Sequence, residues 1–434
     1  MNKLDIKPGA YFAIYIALFA ILCRLYLIDI VPTWGYYGFV GAVDLWKVLL
    51  SICFFIFWAI AFRPKPIVSD MVILFGTFLY ILPSFVMYSV GGGTNFAQML
   101  VVGSISLVLI ISRARVTRPK MDPISQPTMF GIILVFTIVS MGAQVAYGGL
   151  KTFNLNLLEV YNFRAEAASN IPSIFGYIIS PTGKILLPMG FVLSAYFKNR
   201  TMAIVFAVLT ITYFGLSQHK SILFGPIAVY FIYLATLKFG KINSIIFFFL
   251  AVSFVLVANH LYYFSSSANG GLSFINSIVL RRTFFIPPLL DSLYLEFFAN
   301  TSKYYWSSSS ITFGLIENPY HVNAPKLIGQ EYFQNPDVSA NAGIVASGYS
   351  NAGIVGVLIY SAVFGLILSM LNSHGRHIGH EFVFSVSLTV CVSIMTSTDI
   401  VTSILTHGMM LLLILLMFFP VEENHEKGAA QCPV

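Results

Sequence analysis

Charged residues are scarce in this sequence. Only 9% of its 434 residues are Asp, Glu, Lys or Arg, whereas soluble domains carry about 25%. A chain that is 57% hydrophobic, with a mean hydropathy of +0.83, could not cover its surface with polar side chains in water. The composition therefore excludes a soluble globular protein. It predicts an all-α polytopic membrane protein, with residues 1–434 forming a single integral membrane domain.

Cysteines and the common nucleotide and metal motifs are also scarce or missing. The 4 cysteines have no metal-ligand spacing, which predicts neither a disulfide nor a zinc site. The sequence contains no phosphate-cradling glycine loop followed by Lys and Ser or Thr, no HExxH and no GxSxG. We therefore expect no metal, no cofactor and no nucleotide substrate.

Long apolar runs, in contrast, are abundant, and a run of about 20 residues is long enough to span a membrane as a helix. Lys and Arg gather in short clusters between these runs, which is the pattern of cytoplasmic loops and not of a nucleic-acid-binding surface. The clusters predict that both termini lie in the cytoplasm. The spans, about a dozen, are predicted at 10–31, 37–62, 68–90, 95–112, 128–147, 173–197, 201–217, 220–237, 242–263, 342–371, 381–398 and 402–420.

Two connections between the predicted spans are long, about 148–172 and 264–341, and both fall on the outer side in this topology. The apolar segments inside the second loop, such as TFFIPPLL at 283–290, are too short to span. Long loops in compact folds commonly carry function. We therefore expect the polar chemistry of this protein to be concentrated at its outer face.

The first outer loop contains LEVYNFR at 158–164, in which Tyr161 and Arg164 would share one face of a short helix. Arg presents a rigid fork of donors that matches phosphate oxygens, and a neighbouring Tyr adds a hydroxyl and a stacking face. These two residues are therefore candidates to bind an anionic headgroup. The alternative is an interfacial helix with a solvated polar side.

Basic residues at two other outer positions are candidates for the same role. Arg281 and Arg282 open the amphipathic stretch at 277–298, and because helix neighbours point to different faces, at most one is expected to face a given ligand. The alternative for both is snorkelling to lipid headgroups. Lys220, in the turn SQHKS at 217–221, would lie at the membrane rim, where a cation needs an anionic partner. That partner is either a ligand phosphate or a carboxylate of the protein.

His321 is the only histidine in the second outer loop, and Glu317 lies four residues before it. An imidazole titrates near neutral pH, which suits a general base. We therefore predict His321 as a catalytic base, with Glu317 either orienting it or acting in its place. The alternative is that this lone histidine is structural.

Two charges inside the first pair of predicted spans have a structural explanation. Arg24 and Asp44 lie at about equal depth from the outer ends of these spans. Charges within a membrane are costly unless they are paired. We therefore expect an Arg24–Asp44 ion pair inside the helix bundle.

The layout resembles the Wzy-type O-antigen or oligosaccharide repeat-unit polymerases of bacterial inner membranes. The resemblance covers nearly the whole chain as architecture, with about a dozen helices, both ends inside and two enlarged periplasmic loops that contain arginines. LEVYNFR at 158–164 is similar to the Tyr/Arg element of the family's first loop. SANAGIVASGYSNAGIVGVLIYS at 339–361 is similar to the small-residue entry to the helix after the second loop.

The resemblance implies a fold related to the metal-independent (GT-C-like) integral membrane glycosyltransferases. It also implies a reaction at the periplasmic face, in which a glycan on undecaprenyl pyrophosphate is transferred to a lipid-linked repeat unit. The implied partners are these lipid-linked oligosaccharides and membrane lipids, and a chain-length regulator is left open.

In such a reaction, basic side chains would stabilise the departing pyrophosphate. These are Arg164, Arg281, Arg282 and Lys220. Tyr161 would help to hold phosphate or sugar, and His321 or Glu317 would take the proton of the acceptor hydroxyl.

Three other functions stay open at this point. An O-antigen ligase would use the same donor with a lipid A–core acceptor. A flippase for the lipid-linked unit would also suit a dozen helices, but transporters usually place their polar site near the membrane midplane, within repeats. We find no convincing internal repeat in this sequence. A membrane acyltransferase is the third alternative, and His407 in the last predicted span keeps it open.

Overall fold

The computed structural model describes residues 8–119, 121–156, 171–265 and 275–420. Apart from turns and one isolated bridge between Ala42 and Gly91, the regular structure in these ranges is helical. Nine helices within them are long and apolar enough to cross a membrane. The chain therefore has the make-up of an all-helical polytopic membrane protein, as its composition predicts.

The α-helices of six or more residues in the described ranges are most widely separated around the two predicted loops. In chain order they are α1 (Pro8–Leu25), α2 (Leu45–Ala61), α3 (Val68–Val90), α4 (Asn95–Ser112), α5 (Gln126–Ala146), α6 (Gly176–Tyr196), α7 (Arg200–Ser217), α8 (Lys220–Phe239), α9 (Lys241–Ser265), α10 (Ile286–Ala299), α11 (Ala324–Phe333), α12 (Ile344–Ile378), α13 (His380–Thr396), α14 (Ile400–Leu405) and α15 (Met409–Met417).

Several predicted spans coincide with helices, and others differ for identifiable reasons. The spans expected at 68–90 and 95–112 are α3 and α4. The span expected at 37–62 begins only at Leu45, which leaves α2 shorter than a full crossing. The span expected at 402–420 is divided into α14 and α15, because Gly408 between them adopts a left-handed φ of 91°. The structure thus gives nine full-length candidates in its described part, where about twelve spans were expected.

The chain divides into two compact units, and each is assembled from three separate parts of the sequence. The first unit draws on Met1–Ala114, Phe239–Leu368 and Val392–Val401. The second draws on Arg115–Lys238, Ser369–Cys391 and Thr402–Val434. Neither unit is therefore a contiguous stretch of sequence.

α3 is the core helix of the first unit, and every one of its residues is buried. α1, α2 and α4 pack against it, with ring contacts such as Tyr15 on Phe78, whose centroids are 5.5 Å apart. Its polar side chains find partners inside the unit. Ser84, for example, donates to the Gln98 side-chain oxygen over 2.9 Å. A helix that is buried all round needs such internal partners, because it meets neither water nor lipid.

Four π-helical segments occur in the described ranges, and a proline follows each one at the second position. The segments are Tyr26–Ile30, Thr77–Ile81, Thr182–Leu186 and Asn276–Phe285, and the prolines are Pro32, Pro83, Pro188 and Pro287. Proline has no N–H, and its ring clashes with the carbonyl four residues earlier. The backbone before it therefore changes from the α-helical hydrogen bonds between residues four apart to π-helical bonds between residues five apart. Such segments are frequent at functional sites. The first and last of the four carry the polar residues of the candidate site.

α12 is broken after its first two turns. Ala352 (φ −149°, ψ 33°) and Gly353 (φ 60°, ψ −143°) leave the helical conformation. Gly348 and Gly356 lie on either side of the break, and their backbones meet so closely that neither position has room for a Cβ. Eight residues of a regular helix would separate them by about 12 Å, so the chain turns back on itself. The part after the break is still long enough to span a membrane.

The break coincides with a short repeat that sequence reasoning missed. The sequence NAGIV occurs at 341–345 and again at 351–355. The first copy leads into the start of α12 at Ile344, and the second leads into the part of α12 that follows the break. Each copy therefore begins a helical segment.

The expected Arg24–Asp44 ion pair is wrong. The Asp44 carboxylate instead caps the start of α2, accepting from the backbone N–H groups of Trp46 (2.9 Å) and Lys47 (3.2 Å). The ammonium group of Lys47 donates to the Gly93 carbonyl over 2.8 Å. An Asp directly before a helix accepts hydrogen bonds from amide groups that have no partner within the helix. These local hydrogen bonds, and not an ion pair, fix the position of the Asp44 side chain.

Candidate functional site

Arg281 and Arg282 are neighbours in the π-helical segment before α10, and their surroundings differ. Arg281 is buried, with 8% of its surface accessible, whereas Arg282 is exposed. Neighbouring side chains of a helix point to different faces, so one of the two faces the interior of the unit. Of the two predicted arginines, Arg281 is therefore the one that lies inside the first unit.

The guanidinium of Arg281 lies over two aromatic rings. Its central carbon is 5.0 Å from the ring centroid of Trp34 and 5.1 Å from that of Tyr37. One terminal nitrogen donates to Ser277 Oγ over 3.3 Å, one turn earlier in the same segment. Its Nε is buried and has no acceptor among the described residues. Aromatic faces hold a planar cation without neutralising it, so the guanidinium keeps its charge, and its Nε donor has no partner among the described residues.

A second set of polar side chains is connected to Arg281 through the π-helical segment Asn276–Phe285. His260, near the end of α9, places its Nδ1 2.9 Å from Asp29 Oδ1. Asn276 donates to the other oxygen of Asp29 over 3.4 Å and accepts from the Asn259 amide over 2.9 Å. Because Asn276 and Ser277 are consecutive, the Asp29–His260 pair and the Arg281 guanidinium are linked through one short backbone segment. We call the seven residues Asp29, Trp34, Tyr37, His260, Asn276, Ser277 and Arg281 the rim site.

The rim site contains two groups with different chemistry, an imidazole paired with a carboxylate and a buried guanidinium. A carboxylate hydrogen-bonded to Nδ1 of an imidazole fixes the orientation of the ring, which is the arrangement of a general base. A guanidinium that is preorganised and partly desolvated stabilises negative charge more strongly than it would in water. The two groups belong to one hydrogen-bonded set of residues, connected through Asn276 and Ser277.

Sequence reasoning missed Asp29 and His260, although a signal was present. Both lie inside or at the end of long apolar runs, and an ionisable side chain there is a functional candidate by default. The separation of 231 residues hides the pair in a linear reading. Trp34 and Tyr37 gave no signal, because aromatic residues are common at membrane interfaces.

The predicted base His321 and its neighbour Glu317 lie on an exposed turn of the first unit. His321 has a left-handed backbone with φ of 57°, and the turn is closed by the Asn318 amide donating to the Val322 carbonyl over 3.2 Å. In the described ranges, no hydrogen bond or ion pair joins the Glu317 carboxylate to the His321 ring. Both residues stay predictions, on a turn that is open to the surroundings.

The remaining predicted binding residues belong to the second unit or to undescribed segments. Lys220 is the first residue of α8 and is half-buried. Tyr161 and Arg164 lie outside the described residues. Their predicted roles stay predictions.

The described ranges contain no group of three His, Cys, Asp or Glu side chains that could hold a metal ion. No protein-family model matches the chain, and no curated protein or solved structure matches it significantly.

Proposed function

We propose that this protein is an O-antigen polymerase of the bacterial inner membrane. It would transfer a growing glycan from undecaprenyl pyrophosphate to a new lipid-linked repeat unit at the periplasmic face. The observation that carries the proposal is the rim site, where a buried guanidinium on two aromatic rings is linked through Asn276 and Ser277 to a carboxylate-oriented imidazole. The resemblance of the chain to Wzy-type polymerases supports the choice of substrate.

The proposed reaction is a single displacement at the anomeric carbon of the donor glycan. A hydroxyl oxygen of the acceptor sugar forms the new bond to this carbon. The bond from the carbon to the pyrophosphate oxygen breaks, and its electron pair leaves with the lipid pyrophosphate. The Arg281 guanidinium stabilises the charge that grows on this leaving group.

In this proposal the acceptor proton passes to Nε2 of His260, whose Nδ1 faces Asp29 at 2.9 Å. The imidazolium that forms is stabilised by the adjacent carboxylate. His321, the base predicted from sequence, is the competing assignment. The two histidines can be separated by mutation, because they lie on different elements.

The first test is a gel of lipopolysaccharide from cells that lack the gene, with and without a plasmid copy. A polymerase predicts core carrying a single repeat unit in the deletion strain and long chains after complementation. Bare core with accumulated lipid-linked polymer would make the protein a ligase. Bare core with lipid-linked single units held on the cytoplasmic face would make it a flippase, and either result would overturn the proposal.

A further inference from the structure

The break in α12 receives a segment of the second predicted loop. A break removes the amide partners of the carbonyls just before it. Here the carbonyls of Ser350 and Asn351 accept instead from the backbone N–H groups of Tyr304 (2.9 Å) and Tyr305 (2.8 Å). The Asn351 side-chain oxygen accepts from the Trp306 N–H over 3.0 Å. Three consecutive residues of the loop are thereby fixed on the broken helix.

Two of these three residues have a backbone that bulky side chains rarely adopt. Tyr305 has a φ of 47° and Trp306 a φ of 62°, both in the left-handed region. Glycine would adopt this conformation without steric cost, yet the chain places two large aromatic residues here. Such outliers persist only where the surroundings enforce them, and they cluster at ligand-binding sites.

A partly buried hydrogen-bond network enforces the conformation. The Tyr360 hydroxyl accepts from the Trp306 indole N–H over 3.0 Å and from the Asn351 amide over 3.1 Å. It donates to Asp399 Oδ2 over 2.6 Å. Asp399 in turn accepts from the Val401 N–H over 2.8 Å at the start of α14. The loop, the broken helix and the turn at Asp399–Val401, all of the first unit, are thus held together in a single arrangement.

What this rigid arrangement presents outward is the ring of Tyr305. The residue is 55% exposed, and its ring makes no aromatic contact in the described part of the chain. Four serines follow Trp306 directly, at 307–310. Of these serines, Ser308 and Ser310 are exposed. A fixed aromatic face beside hydroxyl groups is thus available to a ligand.

We propose that Tyr305, with the serine run 307–310, forms a carbohydrate subsite that binds a pyranose ring of the glycan. The C–H face of a sugar ring is apolar and packs on an aromatic face, while its hydroxyls take hydrogen bonds from neighbouring polar groups. Tyrosine provides a large and rigid contact with little entropy to lose. This inference rests on the proposed function, because it takes the substrate to be an oligosaccharide.

The test uses the purified full-length protein in detergent and the repeat-unit oligosaccharide released from its lipid by mild acid. This probe lacks the lipid pyrophosphate, so its binding reports on contacts to the sugar alone. Tyr305→Gly removes the ring and relieves the left-handed strain. We expect it to weaken binding about tenfold or more and to shorten the chains made in cells, while thermal stability stays equal or rises.

Phe313→Gly is the matched control, because Phe313 is also an exposed aromatic residue (88%) with a left-handed φ of 50° in the same loop. It should bind the oligosaccharide like the unaltered protein. Two further variants keep the test decisive if Tyr305→Gly does not fold. Tyr305→Phe should stay within about threefold of the unaltered protein, and Tyr305→Leu should show the loss.

Undiminished binding by Tyr305→Gly or Tyr305→Leu would overturn the subsite. So would failure of the unaltered protein to bind the oligosaccharide. Neither outcome decides the proposed function, which the lipopolysaccharide gel tests separately. A gel that shows a ligase or a flippase would overturn the function whatever the binding result.

Discussion

At the scale of single residues, His260 shows that the surroundings of a histidine, and not its residue type alone, make it a candidate for a general base. The chain has 8 histidines, and chemistry alone favours any of them equally as a base. His260 has 9% of its surface accessible and faces Asp29, whereas His321 is exposed on a turn. Orientation by a carboxylate is what distinguishes a general base from a titratable surface group.

The first prediction separates these two histidines. His260→Gln should reduce the rate of glycan transfer about 100-fold or more, because general-base catalysis contributes roughly 10²–10⁴. The measurement is polymer formation by purified protein with lipid-linked repeat units, and His321→Gln serves as the comparison. Full activity of His260→Gln together with loss in His321→Gln would return the role to the histidine that the sequence predicts.

Arg281 and Arg282 provide a matched pair of adjacent identical residues. Arg281→Ala should abolish polymerisation, since it removes the buried guanidinium between Trp34 and Tyr37. Arg281→Lys should recover little, because an ammonium lacks the planar fork and stacks poorly on aromatic rings. Arg282→Ala should retain most activity. Chain length on a gel, normalised to protein level, measures all three, and equal effects at both positions would argue against a specific anion site.

At the scale of elements, Asp291 joins three helices and gives the first unit a dependence on pH. It lies in α10 and is 3% accessible. Tyr80 of α3 donates its hydroxyl to Asp291 Oδ2 over 2.5 Å, and the carboxylate also accepts from the Ala346 N–H in the first turn of α12. Burial raises the pKa of the Asp291 carboxyl from 3.8 to about 7, and these hydrogen bonds oppose the shift.

The sign of the effect follows from the raised pKa. Between about pH 4 and pH 7 the folded protein holds a proton on Asp291 that the unfolded chain releases, so stability should fall as pH rises through this window. The loss should be on the order of a few kcal/mol. Asp291→Asn, which stays neutral, should flatten this part of the profile. Melting temperatures in detergent between pH 5 and pH 8 measure it, and an unchanged slope in the variant would contradict the assignment.

The break in α12 gives an element-scale prediction with a built-in control. A Cβ at Gly356 would overlap the Gly348 carbonyl oxygen, and a backbone atom cannot swing aside. Gly356→Ala should therefore destabilise the protein by about 1–3 kcal/mol, as overpacking does, and should displace the loop that is held at the break. Gly103 of α4 has nothing within 4 Å of its Cβ position. Gly103→Ala should be neutral, and equal stability of both variants in a thermal shift assay would show that the two parts of α12 do not meet.

At the scale of the whole molecule, the sequence predicted the helix positions that depend on local composition. It missed the features that depend on contacts between distant residues. Apolar runs located α3 and α4 to the residue, because hydropathy is a local property. The break at Ala352–Gly353 falls inside an apolar run and has no charge to mark it. The Asp29–His260 pair spans 231 residues, so only the fold could bring it together. The clusters of Lys and Arg, in contrast, are visible in the sequence, and they predict which connections between helices face the cytoplasm.

The predicted topology places the second loop, with Tyr305 and His321, outside the cell membrane, and the connection between α2 and α3, with Arg63, in the cytoplasm. Single cysteines test this in a chain whose four own cysteines are replaced by serine. Ser308→Cys should react with a membrane-impermeant maleimide in intact spheroplasts, since Ser308 is exposed. Arg63→Cys, equally exposed, should react only after the membrane is permeabilised. The reverse pattern would place the rim site's side of the chain in the cytoplasm, where a periplasmic lipid-linked donor could not reach it, and the polymerase proposal would fail with it.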